Sequence, residues 1–150
     1  MKKQLLILSL LLCLVLLLTG CKSYKDTNGP DDYSLQSLTE GDILKGGSST
    51  TIGSVSSQVN NKYKVSVKTL HGVDTLETFS GKGSYQIELS WTVSKGNARL
   101  VLCTDKEILH DFTVNEAGQT YSFRNDGSNV YLRIAGEDCG FSLDYTVYRS

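Results

Sequence analysis

From position 63 to the end of the chain, apolar and polar side chains alternate with a period of two. Tyr63, Val65 and Val67 interleave with Lys62, Lys64, Ser66 and Lys68, the pattern of a strand with one face against a core. The clearest case follows Gly83: Tyr85, Ile87, Leu89, Trp91 and Val93 fall on one face, and Ser84, Gln86, Glu88, Ser90 and Thr92 on the other. Residues 98–104 form a nearly continuous apolar run, which reads as a central strand. Shorter strands are predicted over 75–80, 108–114, 119–124 and 130–135, and a last one alternates Phe141, Leu143, Tyr145 and Val147 with Ser142, Asp144, Thr146 and Tyr148. Lys95-Gly96-Asn97, Asp105-Lys106-Glu107, 115–118 and 136–140 supply turns between them. Asn125-Asp126-Gly127-Ser128 is the strongest hairpin signal, because Asn, Asp and Gly tolerate the positive φ of tight turns. About eight short strands, turns rich in Gly and Asn, and no helical period argue for an antiparallel β-sandwich, jelly-roll-like, with an up-and-down β-barrel as the alternative.

The start of the chain is patterned differently. Lys2 and Lys3 precede an apolar run over 5–18 broken only by Ser9, and Thr19-Gly20 places small residues before Cys21. That order is a secretory signal, and about fourteen apolar residues fall short of the roughly 20 that a membrane-spanning helix needs. Leu18-Thr19-Gly20-Cys21 resembles the lipobox of bacterial lipoprotein precursors. The resemblance covers residues 1–21 and implies cleavage before Cys21, a diacylglyceryl group on its sulfur and acylation of the new N-terminus. It places the mature chain outside the cytoplasm, bound to the cell membrane or an outer membrane through lipid on Cys21. Two or more acyl chains make such anchoring stable, since each buried CH₂ contributes about 0.8 kcal/mol.

The expected organisation is a signal peptide over 1–20, a lipid-anchored flexible tether over 21–60 and a β-sandwich over 61–150. The tether is read from Ser, Thr, Gly, Asn and Asp, the single Pro30 and the linker-like run 45–51; flexible throughout, it has a root-mean-square span of roughly 35 Å. Tyr33, Leu35, Leu38, Ile43 and Leu44 interrupt this polarity. They predict either one short helix over 33–39, capped by Asp31 or Asp32, or an edge segment of the domain. Asp26, Asn28, Asp31 and Asp32 outline a calcium-like loop, but Pro30 occupies a ligand position and Ser37 stands where a bidentate Glu is required. No metal or other cofactor is expected.

Removal of Lys2 and Lys3 with the signal shifts the formal charge from -1 to -3, with 13 basic against 16 acidic side chains. Without a basic excess, no nucleic-acid partner is expected. Of the four cysteines, Cys13 leaves with the signal and Cys21 is the lipid site, so Cys103 and Cys139 remain for the domain. An exported chain with one leftover pair suggests a disulfide. Strand parity argues the other way, for two buried free thiols, and both readings stay open at this point.

Catalytic signals are sparse. His110 and Asp111 are adjacent on a strand, so they point to opposite faces and Asp111 does not orient His110 within its own strand. His71 sits beside Gly72 at an expected turn, and no serine lies in a Gly-x-Ser-x-Gly elbow. Glu88 lies on an outward face, while Glu107, Glu116, Glu137 and Asp138 fall at turns, where plain surface carboxylates go. Trp91, the only tryptophan, has core parity. Tyr131 with Arg133, and Tyr148 with Arg149, are the exposed candidates for a ligand site, although tyrosine on an outer face also serves cross-strand packing. The stretch 97–147 is loosely similar to small jelly-roll modules appended to secreted enzymes, a likeness that carries no site residues with it. The expectation is a non-catalytic extracytoplasmic module that binds a protein or other ligand or serves envelope structure. The alternatives are a module binding carbohydrate or cell wall through Tyr131, Arg133 and Tyr148, and a small hydrolase using His71 or His110.

Overall fold

A computed structural model of the protein describes residues 33–150. The expected signal peptide, Cys21 and the residues of the calcium-like pattern, Asp26, Asn28, Asp31 and Asp32, lie outside the described residues. One short helix, α1 (Glu40–Lys45), precedes six strands: β1 (Ser49–Val59), β2 (Lys62–Phe79), β3 (Gly83–Cys103), β4 (Ile108–Phe112), β5 (Gln119–Asn125) and β6 (Val130–Arg149). All pairings are antiparallel, in the order β1-β2-β6-β3-β4, with β5 on the opposite end of β3. The fold is all-β and sandwich-like, and the sheet does not close into a barrel.

The period-two segments are in place, but three pairs of them are continuous. Segments 63–68 and 75–80 are the two ends of β2, 84–93 and 98–104 those of β3, and 130–135 and 141–148 those of β6. The expected turns at Lys95-Gly96-Asn97 and 136–140 are kinks inside strands. Register slips occur between Val67 and Gly72 on β2 and between Val93 and Asn97 on β3. Gly96 takes φ 68°, and a Cβ there would lie 2.6 Å from the Glu137 carbonyl oxygen. Asp138 takes φ 53° on the neighbouring strand. Because Leu70 pairs with Cys139, and Asn97 with Glu137, these irregularities line up across the three longest strands. Bulges bend and twist a sheet where they occur, and here they fold it over onto itself.

The first layer is β1, the first part of β2 (62–67), the last part of β6 (141–149), the first part of β3 (83–93), and β5. The second is the remainder of β2, β6 and β3 with β4. Between them lies the core: Val67, Ile87, Leu89, Trp91, Phe141 and Leu143 from one layer meet Phe79, Leu100, Leu102, Leu132 and Ile134 from the other. Trp91 is buried, as its parity predicts, and donates from Nε1 to the Thr113 carbonyl at 2.8 Å. Phe79 meets Tyr85 and Phe123 edge-on across the layers, at 5.3 and 5.4 Å.

Residues 33–59, read from composition as tether, belong to this fold. β1 buries almost no side chain, so its sequence carries little apolar signal. Backbone pairing holds it, through the turn at Asn60 (φ 48°) and Asn61 (φ 62°), whose positive angles suit a two-residue hairpin. The helix starts at Glu40, not over 33–39. Thr39 is its cap: its hydroxyl accepts from the Asp42 N–H, and Asp42 accepts from the Thr39 N–H, a reciprocal capping box.

The Asn125-Asp126-Gly127-Ser128 turn also forms, with Gly127 at φ 111° and Asn125 Oδ1 accepting from the Gly127 N–H. It is not a hairpin. β5 pairs with the first part of β3 and the start of β6 (130–135) pairs with the last part, so the turn carries the chain from one layer to the other.

Candidate functional site

The outer face of the second layer is roofed by the segment 33–46. Ile43, Leu35, Leu38 and Leu44 pack on Val73, Val101, Cys103 and Ala135. Two charged side chains of β6 clamp this strap. Arg133 is 4% exposed. Its Nη1 donates to the carbonyls of Ile43 (2.9 Å) and Leu44 (2.6 Å), in the last turn of α1, and its Nε donates to Thr75 Oγ1 at 3.2 Å. A guanidinium at this end of a helix satisfies carbonyls that have no partner within it. The guanidinium also lies 4.0 Å from the centre of the Tyr131 ring, a cation–π contact.

Glu137 holds the other end. Its Oε1 accepts from the N–H groups of Ser37 (2.6 Å) and Leu38 (2.8 Å) and from the Ser37 hydroxyl, and its Oε2 accepts from the Gln36 N–H at 2.7 Å. Burial pushes this carboxyl upward, but the backbone donors of Gln36, Leu38 and Ser37 and the Ser37 hydroxyl outweigh it and hold the pKa at about 2. Between the two clamps, Arg99 makes a two-pronged bond to Asp111, with Nε to Oδ1 at 2.6 Å and Nη2 to Oδ2 at 2.9 Å, and its Nη1 lies 3.8 Å from Glu40.

Tyr131 and Arg133 therefore do not form an exposed ligand site. Parity correctly assigns them to the outer face, but the strap covers that face and the guanidinium is committed to the chain's own carbonyls. The sequence signal missed was Glu137, which looks like a turn carboxylate and is the most heavily bonded one in the described residues.

Cys103 and Cys139 are free thiols, not a disulfide. Cys103 lies under the strap with Val101 and Ala135, while Cys139 lies in the inter-layer core, so the parity argument gives the physical reason. Burial raises both pKa values, Cys139 to about 11, with Arg133 partly opposing the rise at Cys103. Neither is poised as a thiolate at neutral pH.

Tyr148, paired in the sequence reading with Arg149, faces solvent, at 48% exposed. It stands on the polar outer face of the first layer, beside a shallow groove of ≈ 590 Å³ lined by Gln86, Glu88, Ser122, Phe123, Arg124 and Arg149 among others. Its hydroxyl donates to Glu88 Oε2 at 3.3 Å, and Gln86 Nε2 donates to Glu88 Oε1 at 2.9 Å. Strand pairing sets Tyr148 across from Gln86, and Gln86 across from Ser122. A carboxylate, an amide, a hydroxyl and a cation thus border one aromatic ring, with Arg149 turned across the Tyr85 ring 5.5 Å away.

The two histidines lie apart from this groove. His110 stacks on Tyr121 at 4.1 Å and meets Phe112 edge-on, at the open side between the layers. His71 lies 3.5 Å from Asp138 at the surface. Among the described residues, no three His, Cys, Asp or Glu side chains converge to hold a metal ion, and no helix is long and apolar enough to cross a membrane. No protein-family model matches the chain, and no curated protein matches it.

Proposed function

We propose that the protein is a cell-envelope lipoprotein, anchored through lipid on Cys21, whose β-sandwich head works outside the cytoplasm as a binding or structural module without catalysis of its own. The observation that carries this reading is Leu18-Thr19-Gly20-Cys21 at the end of a short basic-then-apolar leader. Mass spectrometry of the mature chain is expected to find an acylated Cys21 at its N-terminus, and Cys21→Ala to release the chain from the membrane fraction. An unmodified Cys21 in a chain that still begins at Met1 would overturn the reading.

The groove beside Tyr148 favours carbohydrate or cell-wall polysaccharide as the ligand. Sugars are bound by an aromatic surface with flanking side chains that donate and accept hydrogen bonds, and Tyr148, Gln86, Glu88 and Arg124 supply both. Retention on cell-wall polysaccharide is expected for the native chain, with roughly a tenfold loss for Tyr148→Ala, about 1.4 kcal/mol. Equal retention of the two chains, or none, removes this reading.

A further inference from the structure

β1 is an edge strand of eleven residues, Ser49–Val59, with no partner on its outer side among the described residues. Natural sheets blunt such edges with charge, proline, short strands or bulges. This one has neither a charged residue nor a proline, and its one irregularity is at Gly53 (φ 63°). Beyond Gly53, Val55 (71% exposed) and Val59 (67%) stand on one face, uncovered by any other described residue.

The hairpin fixes which amides point outward. A two-residue turn makes Val59 and Lys62 a hydrogen-bonded pair, and such pairs alternate along an antiparallel ladder. The N–H and C=O groups of Ser54, Ser56 and Gln58 therefore face away from β2. Of the two-fold registers open to two copies of this segment, one also matches the valines. With Ser57 on a two-fold axis, Ser56 exchanges hydrogen bonds with Gln58 of the second copy, and Val55 lies across from Val59 of the second copy in the closer, non-bonded position. Gly53 and the Asn60-Asn61 turn stay outside the ladder. We infer that β1 is a dimerisation edge, joining two sheets antiparallel across Ser57.

Other occupants fit less well. Residues 22–32 of the same chain, KSYKDTNGPDD, carry five charges and Pro30 and have no strand pattern. Pairing β1 with β4 or β5 of another copy is limited to five or seven residues carrying Asp111 or Arg124 and does not close on itself. An uncharged edge also offers nothing to select a charged peptide.

The test uses the full chain in detergent. The native mass is expected to be that of a dimer, and Val55→Lys and Val59→Lys each to give a monomer, since either sets a charge against an apolar partner. Val55→Glu combined with Val59→Lys restores opposite charges across the two-fold axis and is expected to return the dimer. Ser57→Cys, whose Cα atoms would lie about 4.5 Å apart, is expected to yield a reducible dimer band on mild oxidation where the native chain yields none. A monomeric native chain, a dimer indifferent to Val55→Lys and Val59→Lys, a double substitution that stays monomeric, or an extended peptide of another protein paired with β1 would each overturn the inference.

Discussion

Arg133 shows how a single side chain takes its meaning from what covers it. Its neighbours Leu132 and Ile134 point into the core, which leaves Arg133 on the outer face, where a guanidinium commonly meets solvent. Here it meets the last carbonyls of α1. Arg133→Ala is expected to cost about 2–4 kcal/mol in urea denaturation, because two buried carbonyls lose a charged donor. Arg133→Lys should recover only part of this, since an ammonium lacks the guanidinium's spread of donors. Glu137 gives a pH signature. Its folded pKa is about 2 against an ordinary 4.5, so its stabilisation is complete above about 4.5 and lost as the pH falls through about 2. In NMR acid titration, the amide protons of Gln36, Ser37 and Leu38 are expected to shift with a midpoint near 2, and Glu137→Gln to abolish that transition.

At the scale of elements, the long strands depend on where they bend. Gly96 combines a left-handed φ with the Glu137 carbonyl oxygen where a side chain would begin. Gly96→Ala is expected to destabilise by about 1–3 kcal/mol, whereas Gly47→Ala, where an added Cβ meets nothing within 4 Å, should be near neutral. Comparing the two urea midpoints checks this. Sequence reading placed the period-two segments correctly because alternation survives a bulge as a change of phase. It divided them into eight strands because Gly96 and 136–140 have turn composition, and composition does not distinguish a reversal from a kink. The same limit applies at Asn125-Asp126-Gly127-Ser128, whose local geometry forms while its strands separate into different layers.

For the whole molecule, the strap is the feature that joins these details, since it converts a half-exposed layer into one buried on both faces. A chain lacking residues 33–48 is expected to uncover Val73, Val101, Cys103 and Ala135 while leaving the inter-layer core in place. Alkylation followed by peptide mapping checks this. In the intact chain, Cys103 and Cys139 should both resist labelling until unfolding; in the shortened chain, Cys103 should label and Cys139 should not. The groove at Tyr148 lies on the opposite layer and is expected to keep its shape in both.

Side-chain chemistry repeated along the chain was enough to determine the strand segments from position 62 onward, their inward faces, the burial of Trp91 and the outward direction of Tyr148, because a strand's period of two is local. It also carried the parity that separates Cys103 from Cys139. Tertiary structure alone decided that β1 is a strand, that Arg133 and Tyr131 are covered and that Glu137 is a clamp. Those outcomes depend on backbone hydrogen bonds and on contacts across as many as 101 positions, and neither leaves a periodic trace in the residues that make them.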